Sequence, residues 1–103
     1  MIENNQSEMQ NEVINAIQRR LSSLDIFKHI YLFGSMLDVN KFPNDIDILL
    51  IYDVYTDEVR QKAHHIKKLL EDEFELPVDL TLLSINEEKE VDFLSRIHWL
   101  CIK

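Results

Sequence analysis

The stretch from Lys28 to Tyr52 constrains the fold of this chain more than any other part of its 103 residues. It reads as an apolar strand, a Gly-Ser turn, a short irregular crossover and a second apolar strand that opens with two aspartates. Gly34, in that turn, is the only glycine in the protein. Because the chain makes every other turn without glycine, we expect that position 34 needs bare backbone.

The two aspartates at the start of the second strand are spaced to share a ligand. Side chains alternate along a strand, so Asp45 and Asp47 point to one face and Ile46 points to the other. Residues two apart on a strand lie about 6.6–7 Å from each other, which suits carboxylates that hold one metal or a metal pair. Oxygen ligands favour hard cations, so the pattern predicts a magnesium or manganese site.

The Gly-Ser turn predicts a phosphate-binding segment directly before the acidic pair. Ser35 is a good helix N-cap, which favours a short helical turn over residues 36–39. Free backbone amides at a helix start attract phosphate. Alone, a Gly-Ser pair is common in turns and an Asp-x-Asp pair is often a solvated strand edge. In this order they supply a phosphate cradle and a metal site, the two parts that phosphoryl or nucleotidyl transfer requires.

The combined pattern resembles the signature of the DNA polymerase beta-like nucleotidyltransferase superfamily. That signature is an apolar residue, Gly-Ser or Gly-Gly, a spacer of roughly ten residues, and then Asp-apolar-Asp or Asp-apolar-Glu. In this chain the positions are Phe33, Gly34, Ser35, Asp45, Ile46 and Asp47. The short length and the ending resemble the minimal nucleotidyltransferases, which are often encoded beside a HEPN-domain toxin and in some cases transfer AMP to it.

The resemblance implies a third acidic ligand. The superfamily places a third carboxylate on the strand that follows the next helix, and Asp79 stands in that position. The family resemblance therefore implies that Asp45, Asp47 and Asp79 are both metal ligands and catalytic residues. They would hold two Mg²⁺ ions, with Mn²⁺ as an alternative.

The resemblance also implies a nucleotide site for ATP or another NTP. Gly34 and Ser35 would contact the phosphates. Many relatives follow Gly-Ser with a basic segment, but here residues 36–39 read Met-Leu-Asp-Val. Lys41 is the basic residue that we expect to reach the triphosphate. A second departure is Asn44, which precedes the first aspartate where serine is usual. Neither change removes a metal ligand, but both favour weak or absent activity.

Helical periodicity predicts one longer helix before this stretch and one after it. Apolar residues recur at helical spacing over about 7–24, where Ser7 is the expected cap. The same spacing recurs up to about Phe74, in a helix that begins at Thr56 or Asp57. Both helices are expected to pack against a sheet.

The last third of the chain predicts a strand, a helix and a short final strand. Residues 76–83 read as the strand that carries Asp79, and the helix begins at Ser84 or Asn86. Residues 99–102 form the final strand, with Trp99 as a core or interface anchor. The helix is expected to turn apolar residues inward at Val91, Phe93, Leu94 and Ile97.

The order of these elements predicts a single α/β (α+β) domain over residues 1–103, with the nucleotidyltransferase fold. Its mixed sheet carries helices mainly on one face and the acidic site on the other. The acidic face continues with Leu49, Ile51 and Leu83, so it needs a cover. The C-terminal helix, a second copy of the chain or another protein are the alternatives.

Charge and composition limit the kinds of partner that we expect this protein to bind and the cell compartment in which we expect it. A net charge of −8 without a basic stripe would repel nucleic acid, so we expect no templated or tRNA-length substrate. A single cysteine, Cys101, excludes an internal disulfide and fits the cytoplasm. The polar start is unlike a signal peptide, and no apolar run approaches the length of a membrane span.

Three functions follow from the sequence. The first is transfer of AMP from ATP to a hydroxyl of a partner protein, as the antitoxin of a HEPN-type toxin–antitoxin pair. The second is a weak or inactive relative that neutralises a partner by binding alone. The third is a nucleotidyltransferase that acts on a small molecule such as an antibiotic. The intact acidic triad favours the first over the second, and the lack of a substrate domain argues against the third. A homodimer is a further or alternative assembly.

Overall fold

A four-stranded mixed sheet forms the centre of the protein in the computed structural model. The structure describes residues 5–38, 40 and 42–103, with side chains from residue 8 onward. The elements are α1 (Asn5–Gln18), β1 (Phe27–Phe33), β2 (Ile46–Tyr52), α2 (Asp57–Phe74), β3 (Val78–Ser84), α3 (Ile85–Val91) and β4 (Trp99–Cys101). The strand order is β3-β2-β1-β4, and only the β2–β3 pair is parallel. The predicted α+β class and mixed sheet are confirmed.

Strand β2 lies at the centre because it is buried on both faces. Ile46, Ile48 and Leu50 pack into the main core, together with the apolar faces of α1 and α2. Leu49 and Ile51 point the other way and pack with residues of β1 and the C-terminal segment. A strand that is buried on both faces reads as a continuous apolar run, as β2 does after Asp47. This double burial fixes the end of β2, where the acidic residues lie.

The C-terminal segment packs on the second face of the sheet, which agrees with the first of the three covers that the sequence left open. Phe93 and Leu94 pack against the cluster that contains Leu49 and Ile51. Val91 was predicted to face inward, and this is wrong, because its side chain is 46% exposed. Helix α3 ends there because Asp92 adopts a left-handed conformation (φ 52°), and a 3-10 turn at residues 93–96 then directs the chain onto the sheet.

Helix α1 is shorter than the 7–24 range that its apolar spacing predicts. It is followed by a separate 3-10 turn at Leu21–Ser23. The guanidinium of Arg20 donates to the carbonyl oxygen of Ala16 at 2.9 Å, so a side chain satisfies one carbonyl that the helix end leaves unpaired. The predicted cap at Ser7 lies outside the described side chains.

Helix α2 begins and ends where the sequence predicts. The Thr56 side chain accepts a hydrogen bond from the backbone N–H of Val59 at 3.2 Å, and acidic side chains in the first turn favour the positive end of the helix. The helix stops at Glu75, whose φ of 56° is left-handed. No helix in the described part of the chain is long and apolar enough to span a bilayer.

Two glutamate side chains hold the ends of β3, the strand that carries Asp79. The backbone N–H of Val78 donates to Glu71 Oε2 at 3.0 Å, and that of Ser84 donates to Glu87 Oε1 at 2.8 Å. The Lys67 ammonium also donates to Glu71, and the Lys67 and Val78 hydrogen bonds lower the pKa of that carboxyl. The edge strand is thereby fixed at both ends by α2 and by the capping box of α3.

Trp99 anchors the end of β4 at the surface rather than in the core. Its ring packs edge-on against Tyr31, with ring centroids 5.1 Å apart, and its Nε1 donates to the carbonyl oxygen of Leu94 at 3.1 Å. The side chain nevertheless remains 46% exposed. Of the two predicted roles, a core or an interface anchor, the exposure contradicts the core role, and the contacts of the ring tie the C-terminal segment to β1.

Candidate metal and nucleotide site

The sheet brings three carboxylates together at one end of its parallel strand pair. Asp47 on β2 and Asp79 on β3 are direct partners in the strand register. Asp45 immediately precedes β2, which begins at Ile46 rather than at the first aspartate. One carboxylate oxygen from each of the three aspartates lies within 4.8 Å of the other two. Asp45 and Asp47 are partly buried and Asp79 is exposed.

The three carboxylates repel one another. The pKa of Asp47 is raised to about 6, chiefly by partial burial and then by the neighbouring negative charges of Asp45 and Asp79. Within the described residues, no lysine, arginine or histidine forms an ion pair with any of the three. A divalent cation bound between them would replace this repulsion with attraction. The donor set contains only oxygen, so the residues fit Mg²⁺ or Mn²⁺.

Ser35 connects the Gly-Ser turn to the acidic cluster. Its Oγ donates a hydrogen bond to Asp45 Oδ1 at 3.2 Å. The prediction that Ser35 caps a helical turn over residues 36–39 is wrong. The turn is a 3-10 turn at Gly34–Leu37, its N-cap position is Phe33, and no side chain caps it. The serine hydroxyl orients a carboxylate instead of capping the backbone.

Gly34 is required by its conformation and by its contact with Asp47. Its φ of +76° lies in the left-handed region, a backbone conformation that residues with a side chain rarely adopt. A Cβ built on Gly34 would overlap Asp47 Oδ2 and would lie 2.9 Å from Asp47 Cγ. The absence of a side chain therefore lets the turn approach the carboxylate of Asp47 directly.

A cavity of about 610 Å³ opens beside this turn. It is lined by Phe33, Gly34, Ser35, Leu37, Asp38, Ile97 and His98. Its size lies within the range of about 300–1,000 Å³ that is typical of small-molecule sites. Because Gly34 contacts Asp47 and Ser35 contacts Asp45, the cavity and the acidic cluster adjoin along the Gly-Ser turn.

Two cavity residues, Ile97 and His98, were not assigned to the site from the sequence. They reach it because β4 pairs with β1 in an antiparallel register that places Trp99 opposite Phe33. Gly34 follows Phe33 and His98 precedes Trp99, so both residues lie just beyond the end of this ladder. The only signal in the sequence is the short apolar ending after Ile97, and it does not reveal which strand it pairs with. Lys41, the predicted basic contact, lies outside the described residues.

The fold and the acidic cluster define a minimal nucleotidyltransferase domain, and comparison with known proteins agrees. A family model described as Polymerase beta, Nucleotidyltransferase matches residues 11–97. The chain belongs to this polymerase beta nucleotidyltransferase family. The structure also resembles the crystal structure of a proposed nucleotidyltransferase from Sulfolobus solfataricus, at a TM-score of 0.60 and 17% sequence identity. That similarity covers 97% of this chain and 87% of the other, and at this identity it shows the shared fold. Among curated proteins, no match was found.

Proposed function

We propose that this protein is a metal-dependent nucleotidyltransferase that transfers AMP from ATP to a hydroxyl group of a partner protein. The observation that carries the proposal is the convergence of Asp45, Asp47 and Asp79 within 4.8 Å, beside a cavity that begins at the Gly-Ser turn. Membership of the nucleotidyltransferase family supports the reaction class. The family supports a nucleotidyl transfer in general, and the proposal adds AMP as the transferred group, ATP as the donor and a protein as the acceptor.

Asp45, Asp47 and Asp79 are the proposed ligands of two Mg²⁺ ions, for which Mn²⁺ can substitute. The bound metal supplies positive charge that holds the triphosphate and offsets the negative charge that develops during transfer. Ser35 keeps Asp45 oriented through its 3.2 Å hydrogen bond. The close approach of Gly34 limits the space in which the Asp47 carboxylate can rotate.

The donor nucleotide is proposed to occupy the cavity beside the acidic cluster. Its phosphates would lie along the bare backbone of Gly34 and Ser35, because this turn is the part of the cavity that adjoins the carboxylates. Phe33, Leu37 and Ile97 offer apolar walls for the ribose and base. Lys41 stays a proposed contact to the triphosphate.

The transfer step is an in-line displacement at the α-phosphorus. The acceptor hydroxyl oxygen forms a bond to the α-phosphorus, while the bond from that phosphorus to the oxygen bridging the β-phosphate breaks. Pyrophosphate leaves with the electron pair of that bond. Asp79 is the proposed acceptor of the hydroxyl proton, since it is the exposed carboxylate of the three and lies on an edge strand.

The exposure of Asp79 also supports a protein as the acceptor. The acidic cluster lies at the end of the strand pair that includes the edge strand β3, where a large partner can approach. A net charge of −8 opposes a nucleic acid in that position. A HEPN-type toxin is the partner that we propose, with this chain as its antitoxin, and self-association remains an alternative assembly.

Neutralisation by binding alone is the second candidate function. It is favoured by one observation: in the described lining of the cavity, no lysine or arginine is available to bind a triphosphate. Family members with a fuller basic segment would hold the donor more strongly, so weak catalysis here is compatible with inhibition through complex formation. Nucleotidyl transfer predicts a labelled acceptor, whereas neutralisation by binding predicts a complex without label.

The test uses the chain, Mg²⁺ and the protein encoded beside its gene, with ATP labelled on either the α- or the γ-phosphate. Nucleotidyl transfer moves the α label onto the acceptor and releases the γ label in pyrophosphate. Asp47→Asn is expected to abolish labelling, whereas the exposed control Asp53→Asn is expected to retain it. A stable complex without α label would support binding alone and contradict the transferase. The absence of both would contradict the proposed partner.

A further inference from the structure

We propose that an imidazole nitrogen of His98 donates a hydrogen bond to the triphosphate of the donor nucleotide. This inference rests on the proposed function, because it assigns one more residue to the same site. Residues 36–38 read Met-Leu-Asp and contain no basic side chain. Besides Lys41, a contact to the phosphates would then come from another part of the fold.

The pairing of β1 with β4 places His98 beside the proposed phosphate cradle. Phe33 and Trp99 are register partners, so the next positions along the two chains are Gly34 and His98. Both positions lie just beyond the end of the strand ladder, and Gly34 and His98 line the same cavity. The imidazole is therefore part of the wall of the cavity that the Gly34 backbone also lines.

The charges in the described lining of the cavity favour His98 for this role. Among the described residues that line it, His98 is the only basic one and Asp38 is the only acidic one. The His98 side chain is exposed, and within the described residues no hydrogen bond or ion pair engages its ring. Either ring nitrogen can donate a hydrogen bond, and a protonated ring donates from both. The ring is therefore available to a phosphate oxygen.

Position also favours the triphosphate over the nucleobase as the group that His98 contacts. His98 lines the same cavity as Gly34, and Gly34 contacts the carboxylate of Asp47. The apolar side chains Phe33 and Leu37 form walls better suited to the base and ribose. A contact to the base would instead be stacking, which does not depend on the phosphates. The two contacts are separable by choice of ligand.

The experiment measures the calorimetric affinity of Mg–ATP and of Mg–tripolyphosphate, which has no base. It compares the wild type with His98→Ala, His98→Lys and the matched control His65→Ala, an exposed histidine on α2. Loss of a charge-assisted hydrogen bond is expected to weaken both ligands about tenfold in His98→Ala. His98→Lys, which keeps a hydrogen-bond donor, is expected to restore most of this loss. His65→Ala is expected to bind as the wild type does.

Three results would overturn the inference. Equal binding by the wild type and His98→Ala would remove His98 from the site while leaving the proposed function in place. A loss confined to Mg–ATP, with Mg–tripolyphosphate unaffected, would assign His98 to the base instead of the triphosphate. A wild type that binds neither ligand would remove the proposed function and this inference together. Thermal unfolding without ligand checks that each variant is folded, and the exposure of both histidines favours this.

Discussion

Gly34 and Asp47 contact each other so closely that a side chain at position 34 would occupy the space of the Asp47 carboxylate. A Cβ there would overlap Oδ2 and lie 2.9 Å from Cγ. The sole glycine of the chain therefore serves the acidic cluster as well as the turn. This contact links the conformation of one backbone position to the geometry of the proposed metal site.

Gly34→Ala is expected to lower both stability and metal affinity. The positive φ of +76° disfavours alanine by about 1–2 kcal/mol, and the new methyl group must displace Asp47. Urea denaturation measures the free energy of unfolding, and calorimetry measures the affinity for Mg²⁺ in the presence of ATP. A folded Gly34→Ala variant with the metal affinity of the wild type would contradict the proposed link between the turn and the site.

Ser35→Ala is expected to weaken metal binding moderately. The variant removes the hydroxyl that donates to Asp45 Oδ1 at 3.2 Å, and a bond of this kind contributes about 1 kcal/mol, or about fivefold in affinity. The exposed Ser22, in the turn after α1, provides a matched serine-to-alanine control. An equal effect of the two variants on Mg²⁺ affinity would show that Asp45 does not depend on Ser35.

The raised pKa of Asp47 predicts a pH-dependent stability in the metal-free protein. Its pKa rises from the model-peptide value of 3.8 to about 6, first through burial and then through the charges of Asp45 and Asp79. Between about pH 4 and about pH 6, the folded state holds more protons at this group than the unfolded state does. Asp47 therefore makes its full contribution to the free energy of unfolding at the acidic end of this window, and the contribution is lost as the pH rises through the window.

Comparison of the wild type with Asp47→Asn isolates that contribution. In the presence of a chelator, Asp47→Asn is expected to unfold at a higher temperature than the wild type. This difference is expected to be larger at about pH 7.5 than at about pH 5, because only the wild type becomes charged at position 47. Saturating Mg²⁺ and ATP should reverse the order above pH 7. A difference that does not change with pH would indicate that Asp47 is not perturbed by its neighbours.

Asp79→Asn is expected to lower transfer of the α label by about 100-fold or more, the usual minimum for loss of a positioned acid–base group. Asp53→Asn, an exposed aspartate in the turn after β2, changes the net charge equally and serves as the control. Single-turnover labelling of the acceptor measures both rates. An equal loss of labelling rate in the two variants would indicate that the rate depends on the net charge of the protein and not on the acidic cluster.

Much of this architecture could be predicted because the signals are local. Strict side-chain alternation along β2 places Asp47 with Leu49 and Ile51 on one face, and the structure has the same arrangement. Helix α2 has a capping residue, a regular apolar stripe and a defined end, so its limits follow from the sequence. The position of Asp79 opposite Asp47 required the family resemblance, because strand register between distant segments has no local signal.

The wrong predictions concern groups for which two interactions compete. Ser35 has the side chain of an N-cap, but its hydroxyl donates to Asp45, which is ten residues away. Val91 continues the helical spacing of its neighbours, but it is the last residue of α3 and its side chain is exposed, while the left-handed Asp92 redirects the residues after it onto the sheet. His98 belongs to the cavity only because β4 pairs with β1. Each outcome depends on tertiary contacts.

The most direct test of the central claim is the thermal unfolding of the wild type, Asp47→Asn and Asp53→Asn with Mg²⁺, with ATP and with both. A ligand that binds only the folded state raises the free energy of unfolding by about 2.7 kcal/mol at a hundredfold excess over its dissociation constant. We predict stabilisation by Mg²⁺ plus ATP in the wild type and in Asp53→Asn, and none in Asp47→Asn. Stabilisation that survives in Asp47→Asn, or that is absent from the wild type at millimolar ligand, would contradict a metal–nucleotide site built on Asp45, Asp47 and Asp79.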